Sequence, residues 1–90
     1  MRHLLQQPVK LRGVQVGRVV DVIFDPESER VVGFEVRCRD RRHRFLPAAA
    51  AWHVDNAIAI DSPFALLDTD ELDFYRRRGK TLRTRSESAA

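Results

Sequence analysis

One stretch constrains this chain more than any other. Val32, Phe34, Val36 and Cys38 fall on one parity, and Gly33, Glu35, Arg37 and Arg39 fall on the other. Side chains of a strand point alternately to opposite faces, so this period of two predicts a strand with one buried and one wet face. Immediately upstream, Gly17 to Asp25 is dense in β-branched residues and too apolar for simple alternation. It predicts a second strand, ending at the turn formers Asp25-Pro26-Glu27-Ser28-Glu29. The two make a hairpin whose register is set at Pro26, since a fixed φ and a missing N–H suit a turn and bar a central strand.

The same reading extends in both directions. Pro8 to Arg12, closed by Gly13, predicts an opening strand, and Arg39-Asp40-Arg41-Arg42 followed by His43 to Pro47 predicts a further hairpin whose last strand stops at the proline. Ala48 to Ala51 suit one helical turn, and Trp52-His53-Val54 and Ala57 to Ile60 predict strands around a turn at Asp55-Asn56. The period changes after Leu67. Asp68 as N-cap with Glu71 three residues on forms a capping-box pair, Leu67 and Leu72 form a staple, and Gly79 marks a stop, so a helix is predicted over about 69–78. The fold class expected is mainly β: a small antiparallel barrel of five to six short strands with one short C-terminal helix. Residues 1–7 form an N-terminal arm, 8–67 the β domain and 68–79 the appended helix. The polar string over 80–90 has little to bury and is expected to be disordered.

Ninety residues exclude two domains and leave little room for a deep catalytic cleft. The longest run free of charged or strongly polar side chains, Phe45 to Trp52, falls far short of the ~20 residues a membrane helix needs. The N-terminus breaks at Gln6-Gln7-Pro8 before a signal-peptide apolar region forms. No integral membrane segment is therefore expected, and a single cysteine, Cys38, fits a reducing, cytoplasmic setting.

The formal charge of +3 conceals a segregation. Arg37, Arg39, Arg41, Arg42 and Arg44 oppose only Asp40, residues 54–73 are acidic, and Arg76 to Arg85 are basic again. The acidic block and the second basic block suit the two ends of the predicted helix dipole. The first basic block lacks such an account. Its simpler reading is a solvated face that blunts an edge strand, and its sharper one is contact with a phosphate backbone. The arginine bias itself, fourteen against two lysines, fits a G/C-rich bacterial genome equally well.

The run Gly13-Val14-Gln15-Val16-Gly17-Arg18-Val19-Val20-Asp21-Val22, then Asp25-Pro26, Val31-Val32-Gly33-Phe34 and Arg44-Phe45-Leu46-Pro47, resembles the PRC-barrel family over about residues 8–67. That family takes its name from the photosynthetic reaction centre and also supplies a domain of a bacterial ribosome maturation factor. The resemblance implies a β-barrel used for assembly, with no catalytic residues and no cofactor to carry over. The framework positions are Gly17, to let the chain turn into the hairpin, Asp21, to bond backbone groups at the rim, Gly33, to admit a tightly bent strand, and Pro47.

Chemistry finds little purchase. Cys38, His43 and His53 match no zinc spacing, so no metal is expected; Cys38 reads as core and the two histidines as rim residues. Asp21, Asp25 and Glu35 are the nearest carboxylates, with no cleft between them, and no serine sits in a nucleophile elbow. No enzymatic activity and no small-molecule substrate are expected. Phe74 and Tyr75 on the helix exceed what one packed face can absorb and are candidates for a protein interface. The function expected is a cytoplasmic, non-enzymatic PRC-barrel adaptor with a protein partner, self-associating as a homodimer. The alternative is a ribosome- or RNA-associated module binding phosphates through Arg37, Arg39, Arg41, Arg42 and Arg44.

Overall fold

A computed structural model describes residues 2–83. Its strands are β1 (Pro8–Leu11), β2 (Val14–Phe24), β3 (Val31–Cys38), β4 (His43–Pro47), β5 (Trp52–Val54), β6 (Ala57–Ile60) and β7 (Lys80–Thr81); the α-helix α1 spans Thr69–Arg78. Short 3-10 turns occupy Arg2–Leu4, Ala48–Ala50 and Pro63–Ala65. The architecture is mainly β, with seven strands and one α-helix.

The seven strands form one sheet in the order β4-β3-β2-β1-β6-β5, with β7 on the far half of β2. The mainly β class with one C-terminal helix stands as expected, and the seven-stranded sheet is not closed into a barrel. Nor is it wholly antiparallel, because β1 and β6 run parallel, Val9 opposite Ile58. A parallel pair needs a long crossover, here everything from β2 to β5, and no local pattern announces it.

Local turns follow the chemistry of their residues. Asp25 Oδ1 accepts from the N–H groups of Glu27 and Ser28 at 2.8 and 3.3 Å, an Asx turn that closes the β2–β3 hairpin. Asp55 and Asn56, at φ 49° and 60°, make the tight β5–β6 turn, and Arg12 with Gly13 does the same between β1 and β2. At the β3–β4 turn Arg41 carries the left-handed φ of 69°. Asp68 stands at the N-cap of α1, yet its side chain makes no capping hydrogen bond, so the predicted capping box does not form.

One face of the sheet carries the main core: Val9, Val19, Val22, Phe34, Val36, Leu46, Ile58 and Ile60, with Cys38 at its margin. Leu4 and Leu5 of the expected arm pack against it, and Gln7 is buried. On the opposite face α1 covers the far half of the β2–β3–β4 region. Leu72 joins Ile23 and Phe45, and Tyr75 stacks on Phe45 with ring centroids 4.2 Å apart. Each such buried large side chain contributes roughly 1.5–3 kcal/mol. Double cover explains the apolar run at the end of β2, where Asp21, Val22, Ile23 and Phe24 are all buried.

The chain beyond α1 departs from expectation. Lys80 and Thr81, assigned to the tail by composition, pair as β7 with Phe24 and Ile23, and Leu82 is buried in the main core. Asp21 Oδ1 secures this return by accepting from the N–H of Arg83 at 3.1 Å and from that of Val22 at 2.9 Å. The remainder of the expected tail, 84–90, lies outside the described residues.

Candidate functional site

Three places on this scaffold hold chemistry that packing alone does not consume. The first lies under α1. Glu35 belongs to the parity predicted to be wet, but it is 6% exposed because α1 seats on that face. A carboxylate so buried needs partners. His43 Nδ1 contacts its Oε2, and Arg76 from α1 stands 3.6 Å from its Oε1. The cluster ties β3, β4 and α1 together.

The second is the open end of the β2–β3 hairpin. Arg18 and Arg37 are direct cross-strand partners, and His43 is the partner of Arg37 on the next strand. Partners share a face, so Arg18 and Arg37 line up on the half of the sheet that α1 leaves bare, whereas His43 is held at the margin by Glu35. Arg18 donates from Nη1 to the Gln6 carbonyl at 2.7 Å. With Arg39, Val14 and Gln15 the two arginines border an open groove of about 510 Å³.

The five arginines expected to converge do not. Arg44 pairs with Val36 and therefore points to the other face. There it grips Asp40 through two hydrogen bonds of 3.0 and 2.9 Å. The bonds from Arg44, aided by the Arg42 N–H, hold the Asp40 carboxyl down at about 2, against an ordinary 3.8. The same bonds push Arg44 up, with a further contribution from Cys38. Arg41 and Arg42 are exposed on the turn and do not border the groove. Sequence grouping missed Arg18, which joins Arg37 only through strand pairing.

The third is the edge strand β5. Trp52 and Val54 are 48% and 44% exposed, and with Lys10, Arg12, Ala59 and Ile60 they border a mainly apolar groove of about 420 Å³. The opposite edge is closed. Phe45 of β4 exchanges backbone hydrogen bonds with Leu67 at 3.0 and 2.8 Å, so the segment entering α1 covers it. Among the described residues no strand lies beyond β5, so this edge is open to pairing.

The remaining candidates have local duties. Tyr75 is spent on Phe45, whereas Phe74 stays 44% exposed beside Tyr75, with the Arg78 guanidinium 4.7 Å from its ring centroid. Gly17 does not turn the chain. It lies buried within β2, where a Cβ would meet Val36 Cγ1 at 2.7 Å and the Arg37 carbonyl at 2.8 Å. At Gly33 a Cβ would fall 2.5 Å from the Leu46 carbonyl oxygen and from the Phe45 ring. Pro47 ends β4 opposite Gly33. Cys38 is buried and unpaired, and His53 bonds Gln7 through Nε2 at 2.8 Å. Among the described residues no three ligating side chains gather as a metal site would require, and no helix is long and apolar enough to cross a membrane.

The sheet is open, rimmed by arginines at one end, with the β4 edge covered and the β5 edge exposed. The family model for the MlaD protein matches residues 6–84, and the chain belongs to that family. This overturns the PRC-barrel resemblance, and with it the PRC-barrel adaptor role and the ribosome or RNA alternative. The reason is physical. Gly17, Gly33, Asp21 and Pro47 answer needs of tight hairpin packing that unrelated β folds share, so they identify a kind of sheet and not a family. No curated protein matches the sequence.

Proposed function

We propose that this chain is a self-associating subunit of a membrane-associated lipid-transport assembly, carrying phospholipid without altering it. The observation that carries this reading is the family match over residues 6–84, since MlaD-type domains are linked to lipid transport and typically oligomerise in complexes. The exposed surfaces suit it. β5 offers an open edge with Trp52 and Val54 for a second copy, while β4 is closed by Leu67.

Two measurements on the full chain test the reading together. Light scattering after gel filtration is expected to give a multimer, and extraction of that peak followed by mass spectrometry is expected to release intact phospholipid. A strict monomer at tens of micromolar contradicts self-association. Absence of lipid, or recovery of hydrolysed lipid only, contradicts the transport role.

A further inference from the structure

We infer that the groove between the ends of β2 and β3 is a binding site for a phosphate ester, held by Arg18, Arg37 and Arg39. The inference rests on the lipid-transport reading for its physiological source, but the site itself is argued from charge and register. Like charges directly opposite on neighbouring strands destabilise a sheet. Arg18 and Arg37 are such a pair, and Arg39 borders the same groove.

Among the described residues no carboxylate pairs with them. The first twenty residues contain no acid, and Asp40 is the only acid between Glu35 and Asp55. Asp40 is engaged with Arg44 on the opposite face, and Glu35 with His43 and Arg76. Among the described residues neither Arg37 nor Arg39 has a carboxylate partner. Arg18 is oriented by the Gln6 carbonyl, and among the described residues the other donors of its planar fork have no partner. Guanidiniums so placed match phosphate oxygens, each able to bind two at once. Val14, 56% exposed at the rim, gives the site an apolar lip suited to the ester side of an amphiphile.

The test compares two double variants of equal charge change in the full chain. R37Q/R39Q removes the groove arginines, and R30Q/R77Q removes two exposed arginines from the far turn of the hairpin and from α1. The probes are glycerol 3-phosphate, followed by amide chemical shifts, and vesicles of phosphatidylglycerol or of phosphatidylcholine, followed by sedimentation. Shifts are expected at Gly17, Arg18 and Arg37 to Arg39, with affinity falling about tenfold in R37Q/R39Q and holding in R30Q/R77Q. Because it relieves a like-charge pair, R37Q/R39Q is also expected to melt no lower than the parent, which separates lost binding from lost structure.

Phosphatidylglycerol vesicles bound through these arginines identify a lipid headgroup as the source. Binding of glycerol 3-phosphate without vesicle binding identifies a soluble phosphate ester. Loss shared equally by the two double variants, or absence of both kinds of binding, overturns the site. Should phospholipid still copurify with a protein whose groove is silent, the transport reading stands and this site falls.

Discussion

The two ends of β3 meet opposite fates on one face of the same sheet. At Gly33 and Glu35 the face is covered by α1, and the buried carboxylate is matched by His43 and Arg76. At Arg37 the cover stops, and the like-charged Arg18 lies directly across. Charge at the covered end is consumed in holding elements together. Charge at the bare end costs stability and so remains available to an outside anion. A strand's wet parity is thus no single environment: what packs on it decides whether a polar residue is structural or free.

The contrast is open to attack at each end. The largest effect is expected from G33A. A Cβ there collides with the Leu46 backbone and the Phe45 ring, so the variant should lose about 3 kcal/mol in urea unfolding. A loss under ~0.5 kcal/mol would show that the Phe45 ring and the Leu46 backbone do not crowd Gly33 as described. E35A should cost about 2 kcal/mol, because it removes the buried carboxylate through which β3 holds His43 of β4 and Arg76 of α1. An unchanged urea midpoint would place Glu35 among the solvated residues.

Smaller effects sharpen the bare end. R37T should raise stability by about 0.5 kcal/mol at low salt, as it relieves the pair with Arg18 and suits a strand, and the gain should shrink as salt is added. A destabilised R37T would mean that the pair is held by partners in the folded chain itself. The smallest effect concerns Asp40. Its folded value of about 2 lies below the ordinary 3.8, so its contribution is present above that ordinary value and fades as pH falls through about 2. The Asp40 carboxyl carbon shift, followed by NMR from pH 5 downward, should titrate near the lower value in the parent and move up toward the ordinary one in R44Q, where the Arg42 N–H bond remains.

Much of the local structure was legible in the residues. The hairpin at Asp25-Pro26, the Asp55-Asn56 turn and the span of α1 depend on neighbours in sequence, and all three stand where the pattern placed them. What was not legible is non-local. The burial of Glu35 depends on a helix more than thirty residues away, β7 on a two-residue return to β2, and the parallel β1–β6 pairing on the intervening strands. The arginine site was half visible: Arg37 and Arg39 stand out by density, Arg18 only by register, and the mispairing of Arg44 with this set follows from its parity. The family was misread because its apparent framework residues serve general needs of strand packing.

The most direct test of the account as a whole is transfer of fluorescent phospholipid from donor to acceptor vesicles by the purified full chain. Transfer is predicted to rise with protein concentration, with the lipid recovered intact. A rate no different from vesicles without protein, across a concentration range in which the chain is folded and multimeric, would contradict it.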